Sequence, residues 1–288
     1  GAGKTVVGLL ALEWAAKNES TTVIIVPSKT LLFQWAAEVA KGFEKSRVLL
    51  VGGGNSDWKK KGVLETYLKS KDGVPSVIIA LIDTAASNNF VTRASKTKNG
   101  LLLVDEVHNA GANEFRKVLE IDYVYRLGLS ATPERYGDEE GTQIIYDYFK
   151  HRLEPEIDIP NAIKLGRLVP YVYDFRFAYL SDDEQEEWKN LSLKISQAYA
   201  RTFVKNKKNE DIFSTNSLKQ LIIQRSRIAK KAVSKIDIGI KIIEENYRQG
   251  EQWLIFLEDG NEVITFSQAL LKIGIKSMVY DGSINMNE

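Results

Sequence analysis

The sequence predicts an α/β protein built on a parallel β-sheet, and two observations indicate this class. Segments with helical spacing of apolar residues occur at 5–17 and 30–42. Short aliphatic and β-branched runs, typical of buried strands, lie between and after them: 21–26, 47–51, 76–81, 101–106 and 125–132. Strands that alternate with helices form βαβ units, whose right-handed crossovers place every strand's carboxyl end at one sheet edge. Ligands bind along that edge in such folds, so we expect the functional site there.

The later elements follow a less regular pattern. Residues 57–70 are expected to form a polar helix. Ser181 and Glu184 stand at capping-box spacing before a long helix that continues to residue 205. The remaining predicted elements are a strand at 171–180, helix at 217–249, a strand at 253–259, a helix at 260–272 and a strand at 276–282.

These elements predict three parts. The first is an α/β domain over 1–170, and the second is a mostly helical, basic insertion over 171–235. The third, over 236–288, contains too few strands for a complete sheet, so we expect it to be the start of a second α/β domain that is cut off.

Composition excludes several kinds of site. The chain has no cysteine, which rules out disulfides, thiolate zinc sites and cysteine nucleophiles. Its net charge of +1 shows that the chain as a whole is not a polycation. No apolar run approaches the ~18 residues needed to span a bilayer, and the first residues do not resemble a signal peptide. We therefore expect a cytoplasmic protein with no membrane partner.

Gly3, Lys4 and Thr5 open the first predicted helix with the end of a phosphate-binding loop. Such a loop reads Gly, four residues, then Gly-Lys-Ser/Thr, so its leading glycine would fall before residue 1. Backbone N–H groups at a helix start bind phosphate oxygens, and a lysine there can reach the β- and γ-phosphates. The threonine hydroxyl suits Mg2+. Taken alone, the tripeptide is equally consistent with an ordinary helix start.

Asp105 and Glu106 end the buried strand "LLLVDE". Two adjacent carboxylates at such a position are costly unless a cation is near. In phosphate-loop NTPases an acidic residue at this place holds Mg2+, which would be Asp105, and Glu106 could then deprotonate an attacking water. The alternative is a solvated strand end followed by a turn.

Ser130 and Thr132 place two hydroxyls at the end of the strand that follows. Hydroxyls at this edge could bond to the Asp105–His108 segment and sense its position. The alternative is a plain strand-to-turn transition, which Ser, Thr and the following Pro133 all favour.

Four motifs together carry a family resemblance. "GAGKT", "VPSKTLLFQW", "DEVH" and "LGLSATP", in this order and at these spacings, resemble superfamily 2 helicases and translocases. The Asp-Glu-Val-His variant and the "QW" of the second motif are most similar to the DExH branch, which includes XPB-like proteins and the motor subunits of restriction systems. The resemblance implies RecA-like domains and covers nearly the whole chain.

The resemblance also implies roles for individual residues. Lys4, Asp105, Glu106 and His108 would form the catalytic set, with His108 linking hydrolysis to Ser130 and Thr132. The ATP ligands would be Gly1, Ala2, Gly3, Lys4 and Thr5, and the Mg2+ ligands Thr5 and Asp105. Nucleic-acid contacts would come from Pro27, Ser28, Lys29, Thr30, Gln34 and Trp35, with Thr84 a looser match. The other histidine, His151, matches no motif.

Charge is concentrated in one region of the predicted insertion. Residues 201–235 contain ten Lys or Arg against Glu210 and Asp211, a local excess of +8 in a chain of net +1. Such asymmetry can be an electrostatic footprint for phosphates. Solvated helix faces are the alternative. Trp188, Phe203 and Phe213 could stack on bases, although aromatic residues at helical spacing are more often core.

The sequence therefore predicts an ATP- and Mg2+-dependent helicase or translocase that acts on nucleic acid. Double-stranded DNA is the expected partner, RNA is not excluded, and a nuclease or methylase domain or subunit is a possible associate. The alternative is a nucleotide-dependent binding or sensor module without productive turnover. The arginine-finger motif of the family would lie after residue 288, so we expect the chain to be truncated at both ends and to hydrolyse ATP feebly or not at all by itself.

Overall fold

The structure, a computed structural model, describes residues 3–69, 74–154, 158–205 and 216–280. The chain separates into two compact units, Gly1–Tyr171 and Val172–Glu288. The expectations for Gly1 and Ala2, for Phe213 and for the last residues of the strand at 276–282 lie outside the described residues.

A five-stranded, fully parallel sheet forms the centre of the first unit and confirms the predicted fold class. Its strands, in chain order, are β1 (Thr21–Val26), β2 (Arg47–Val51), β3 (Ser76–Leu81), β4 (Gly100–Asp105) and β5 (Tyr125–Leu129). Their spatial order is β2-β3-β1-β4-β5. Each of the five coincides with a predicted strand, although β5 ends earlier than expected.

Helices cover both faces of this sheet. In the first unit they are α1 (Lys4–Lys17), α2 (Lys29–Gly42), α3 (Val63–Tyr67), α4 (Ile82–Ala85), α5 (Asn88–Ala94), α6 (Glu139–Phe149) and α7 (Ile159–Lys164). Short 3-10 segments occur at Asp57–Lys59, Val107–Gly111 and Arg116–Glu120.

Residues of β1 alternate between two apolar clusters, one on each face of the sheet. Val23 and Ile25 join the cluster that includes residues of α3, α5 and α6, whereas Ile24 and Val26 join that of α1 and α2. All six residues of β1 are buried. Burial on both faces explains why the sequence shows a continuous apolar run here, and each buried Val or Ile contributes about 1.5–3 kcal/mol.

The predicted polar helix at 57–70 was wrong. The structure has a 3-10 turn at Asp57–Lys59 and then the short α3, because Gly62 between them adopts φ +82, which a helix interior does not allow. Trp58 and Leu64 from the two pieces are both buried in the same apolar cluster.

The second unit contains the helices α8 (Asp182–Lys205), α9 (Asn216–Lys230), α10 (Ser234–Asn246) and α11 (Gly260–Lys272). The predicted strands at 171–180, 253–259 and 276–282 were wrong for the residues that the structure describes, which pair with no other strand there. A strand needs a hydrogen-bonded neighbour and a packing surface, not only a suitable run of residues. Side chains such as Leu254 and Phe256 are exposed instead.

An ion pair on the first unit generates a stability prediction. Arg93 of α5 donates from Nε and Nη2 to the two carboxylate oxygens of Glu65 on α3, both at 2.8 Å, and from Nη1 to the carbonyl of Trp58. These hydrogen bonds from Arg93 lower the pKa of Glu65 from 4.5 to about 2. Because the folded pKa is depressed, the stabilisation is present above pH 4.5 and is lost as the pH falls towards 2.

We therefore expect the free energy of unfolding of Glu65→Gln to depend less on pH between 4.5 and 2 than that of the wild type. Urea unfolding at a series of pH values measures this. Asp57→Asn, which changes an exposed carboxylate paired with Lys60, is the matched control. Parallel pH profiles for wild type and Glu65→Gln would contradict the assignment.

Candidate functional site

The carboxyl edge of the sheet brings the predicted motifs together. The register of β4 and β5 sets Asp105 beside Leu129, so Glu106 and Ser130 leave the sheet side by side. Helix α1 begins at Lys4, directly after Gly3, whose φ is +89. It packs against one face of the sheet, where its Leu12 lies in the same apolar cluster as Leu103 of β4. Three segments far apart in sequence therefore meet at one place.

Lys4 contacts Glu106 directly. Its Nζ lies 2.6 Å from Glu106 Oε1, and each side chain is about one third exposed. Both charged groups are thus accessible from solvent while they neutralise each other. Lys4, the predicted phosphate ligand, and Glu106, the predicted base, are therefore in contact at the carboxyl edge of the sheet.

The backbone of Glu106 explains how two adjacent carboxylates point to different partners. Glu106 adopts φ 48 and ψ 55, a left-handed conformation that is uncommon for a residue with a side chain. Its N–H donates to Asp105 Oδ1 at 2.9 Å, and Asn109 Nδ2 donates to its carbonyl at 3.0 Å. This tight turn directs Glu106 towards Lys4, whereas the side chain of Asp105 contacts Trp35 of α2.

Asp105 is a buried carboxylate with two N–H donors. It is 8% exposed, and besides the Glu106 N–H it accepts a hydrogen bond at 2.8 Å on Oδ2 from the indole Nε1 of Trp35. Donors on both oxygens offset the cost of burying the charge.

His108 links Glu106 to Ser130. Its Nδ1 lies 3.1 Å from Ser130 Oγ and 3.6 Å from Glu106 Oε2, and its Nε2 lies 3.3 Å from Asn109 Nδ2. If the Asn109 amide donates to Nε2, the proton of a neutral imidazole lies on Nδ1. The imidazole can then donate to Ser130 or Glu106. Thr132 is exposed, and its backbone N–H donates to Ser130 Oγ at 3.1 Å.

Arg135 is a residue of this site that sequence reasoning missed. Its Nη1 donates to the His108 carbonyl, and its Nε donates to Asp138 Oδ2 at 2.7 Å. Arg135 therefore ties the segment after β5 to the segment after β4, in parallel with the His108–Ser130 contact. The available signal was a basic residue two positions after the proline of "LGLSATP".

The residues predicted to contact nucleic acid divide by exposure. Lys29, Thr30 and Gln34 on α2 are exposed, and Pro27 is half-buried. Ser28 caps α2, because its Oγ accepts from the Leu31 N–H at 3.3 Å. Trp35 is 2% exposed and faces the sheet, so it does not lie on the same surface.

Thr84 and Lys29 border a glycine loop at the end of β2. Gly52, Gly53 and Gly54 all have positive φ, between +63 and +102. A Cβ on Gly52 would lie 2.5 Å from Thr84 Oγ1, and one on Gly53 would lie 3.3 Å from Lys29 Cγ. The structure thus places Thr84 and the start of α2 around one loop at the carboxyl edge.

In the basic region, acidic partners offset part of the predicted charge. Lys230 lies 3.0 Å from Glu258, and Lys231 pairs with Asp259. Arg225 lies over the ring of Trp188, with its Cζ 5.1 Å from the centroid. One face of the Trp188 ring is therefore in contact with a guanidinium.

Oxygen ligands at this edge fit Mg2+ bound together with phosphates. The described residues contain no group of three or more His, Cys, Asp or Glu that could hold a metal by themselves. Mg2+ is instead commonly held by one or two carboxylates plus substrate phosphates, and Asp105 with the half-buried Thr5 hydroxyl supplies such a partial set. Within the described ranges, no helix has both the length and the apolarity to cross a bilayer.

A lysine, two adjacent acids and a histidine at the carboxyl edge of a parallel sheet are typical of a nucleotide-binding site. Comparison with known proteins shows which proteins the chain resembles. Residues 1–135 match the family described as type III restriction enzyme, res subunit. The chain is 29% identical over 204 residues to a Haloarcula marismortui protein provisionally named DNA 3'-5' helicase Rad25, covering 67% of this chain and 28% of that protein. It is 23% identical over 291 residues to the DNA 3'-5' translocase XPB2 of Sulfurisphaera tokodaii, covering 94% of this chain and 58% of that one.

These matches confirm the predicted resemblance: the chain is similar to superfamily 2 helicases of the XPB-like or restriction-enzyme-like kind. The matched regions span less than two thirds of these curated relatives. Among solved structures, the Pyrococcus furiosus Hef helicase domain covers 96% of this chain and 74% of its own, at 17% identity and a TM-score of 0.48. The relatives named above are a DNA helicase and a DNA translocase by name.

Proposed function

We propose that this chain provides the nucleotide site of an ATP-dependent DNA helicase or translocase of the DExH type. The observation that carries the proposal is the meeting of Lys4, Asp105, Glu106 and His108 with Ser130 at one sheet edge. The Lys4–Glu106 and His108–Ser130 contacts join segments that are distant in sequence. The residue types are those that phosphoryl transfer to water requires.

Each residue of the cluster has a distinct task in this proposal. The loop residues Gly1–Thr5 would bind the phosphates, with Lys4 able to reach the β- and γ-phosphates. Asp105 and Thr5 would hold Mg2+. Bound Mg2+ would neutralise the charge that develops on the phosphates. Glu106 accepts a proton from the water whose oxygen attacks the γ-phosphorus, while the bond to the β-phosphate oxygen breaks and ADP leaves.

The Lys4–Glu106 contact implies that the nucleotide must bind before Glu106 can act as a base. A phosphate at the start of α1 competes for the Lys4 ammonium, because it carries more negative charge than one carboxylate. Glu106 then loses its cation and becomes available to the water and to His108. Nucleotide binding therefore prepares the base.

DNA is the proposed substrate because the named relatives are DNA helicases and translocases and because the exposed start of α2 lies at the same sheet edge as the site. Lys29, Thr30, Gln34 and the neighbouring Thr84 would contact the phosphodiester backbone of double-stranded DNA. Trp35 is buried, so no such contact is proposed for it. The proposal also includes a mostly helical insertion at 171–235 and, at 236–288, the start of a second RecA-like domain. A nuclease or methylase domain or subunit is the proposed associate.

The nucleotide site is tested by matched substitutions on α1 and at β4. We expect Lys4→Met to weaken binding of a fluorescent ATP analogue about tenfold or more, because a charge-assisted phosphate contact is lost. Glu106→Gln should keep the binding but reduce ATP hydrolysis by the complete protein about 10²–10⁴-fold. The controls are Lys17→Met and Glu13→Gln, which break the exposed Lys17–Glu13 pair on the same helix.

In the complete protein, double-stranded DNA should raise the hydrolysis rate. If DNA leaves that rate unchanged, the proposed helicase or translocase function is wrong. If in addition Glu106→Gln alters neither turnover nor nucleotide-dependent DNA affinity, the chain is a sensor module. Stimulation by RNA alone would move the substrate class to RNA.

A second prediction concerns the α2 surface. Lys29→Ala should weaken binding of double-stranded DNA to a similar degree for all sequences and lower the slope of log affinity against log salt by about 1, since one phosphate contact is removed. Fluorescence anisotropy at several salt concentrations measures both quantities. Lys41→Ala, in the last turn of the same helix, is the control. Equal effects of the two substitutions would contradict a DNA contact at the start of α2.

A further inference from the structure

Trp35 lies where three parts of the site meet. Its indole is 2% exposed, and its Nε1 donates to Asp105 Oδ2 at 2.8 Å. Asp105 is the proposed Mg2+ ligand, so the indole holds the oxygen that the Glu106 N–H does not reach. Partners that orient a metal ligand from behind commonly change metal affinity 10–100-fold when they are removed.

The other end of the ring packs against the helix that carries Lys4. A Cβ on Gly8 would lie 2.5 Å from Trp35 Cη2 and 3.0 Å from Leu103 Cδ1, so only a glycine leaves room for the ring between α1 and β4. Gly8 is one turn beyond Lys4. A shift of the ring therefore acts on the phosphate-binding end of α1 as well as on Asp105.

Helix α2 connects this ring to the surface. Trp35 follows Gln34 in the chain, and Gln34 is exposed together with Lys29 and Thr30 on the side of α2 that does not face the sheet. Trp35 itself lies on the buried side, with Leu32 and Val39. A helix moves as a rigid element, so a ligand that displaces the exposed side also moves the indole.

We propose, on the basis of the function proposed above, that Trp35 is a positioning residue that couples DNA contact on α2 to the orientation of Asp105 and to the start of α1. The indole N–H sets which carboxylate lone pairs face the Mg2+ position, and the ring fixes the distance between α1 and β4. DNA on α2 shifts the ring and thereby changes how Asp105 and Lys4 hold the Mg-nucleotide. This gives DNA a physical route to the nucleotide site through a single side chain.

Trp58 shows that an indole can be buried against this sheet without a hydrogen-bond acceptor for its N–H. Trp58 is 3% exposed on the opposite face, and its Nε1 has no hydrogen-bond partner among the residues that the structure describes. The acceptor of Trp35 is thus a particular feature of its position. It also makes Trp58→Phe a matched control, because the same atoms are removed without the loss of a hydrogen bond.

The test compares Trp35→Phe with Trp58→Phe in the whole chain. The first substitution keeps an aromatic ring between α1 and β4 and removes the donor to Asp105. We expect it to raise the Mg2+ concentration needed for half-maximal binding of a fluorescent ATP analogue about tenfold. Trp58→Phe should leave that concentration unchanged. Thermal unfolding of both variants separates this effect from lost stability.

An NMR readout needs no nucleotide. The ¹⁵N indole signal of Trp35 is assigned by its disappearance in Trp35→Phe, and we expect double-stranded DNA alone to shift it while the Trp58 signal stays in place. Gly8→Ala, which keeps the donor but displaces the ring, should weaken Mg2+-dependent nucleotide binding in the same direction as Trp35→Phe. If Trp35→Phe does not fold, Gly8→Ala replaces it as the test variant.

The outcomes separate the coupling from the function on which it rests. If the wild-type chain binds neither Mg-nucleotide nor double-stranded DNA, the proposed function is overturned and the coupling with it. If the wild type binds both, but DNA leaves the Trp35 signal unmoved or Trp35→Phe behaves like Trp58→Phe, the coupling alone is overturned.

Discussion

The parallel pairing of β1, β4 and β5 is the constraint on which the site depends. Parallel strands end at one edge, and the register of β4 with β5 fixes where Glu106 and Ser130 leave the sheet. Helix α1 packs on the same sheet, so its first residue, Lys4, comes within 2.6 Å of Glu106. A slip of one residue in β4 would turn Asp105 to the opposite face and would separate it from the indole N–H of Trp35.

Charge at this edge is arranged so that no carboxylate is buried without a partner. Asp105 receives two N–H donors, and Glu106 faces the Lys4 ammonium. The left-handed backbone of Glu106 makes this division possible, and such strain often persists at functional sites because the surrounding contacts compensate for it.

Whether an element could be predicted from its sequence depends on what the element packs against. β1, β3 and β4 are buried on both faces, so their continuous apolar runs were sufficient to identify them. The runs at 171–180 and 253–259 are also rich in apolar residues, but local composition cannot supply the neighbouring strand that a ladder needs. Gly62 divided the expected helix at 57–70, since a positive φ is invisible to periodicity.

Within the site, the meeting of Lys4, Glu106, His108 and Ser130 at one edge was predictable from motif order and parallel topology. The contacts of Arg135 and Asn109 were not, because they depend on the path of the chain after each strand. Trp35 shows the limit most clearly. Its spacing from Leu32 and Val39 indicates a buried face of α2, but no spacing reveals that its N–H meets Asp105.

The central claim is that the Lys4–Glu106 contact is the resting form of a nucleotide site. A crystal structure of the chain with Mg2+ and a non-hydrolysable ATP analogue tests it most directly. We expect Lys4 Nζ to leave Glu106 and to contact phosphate oxygens, and we expect Asp105 to lie next to the Mg2+. An intact Lys4–Glu106 pair with the analogue bound elsewhere would contradict it.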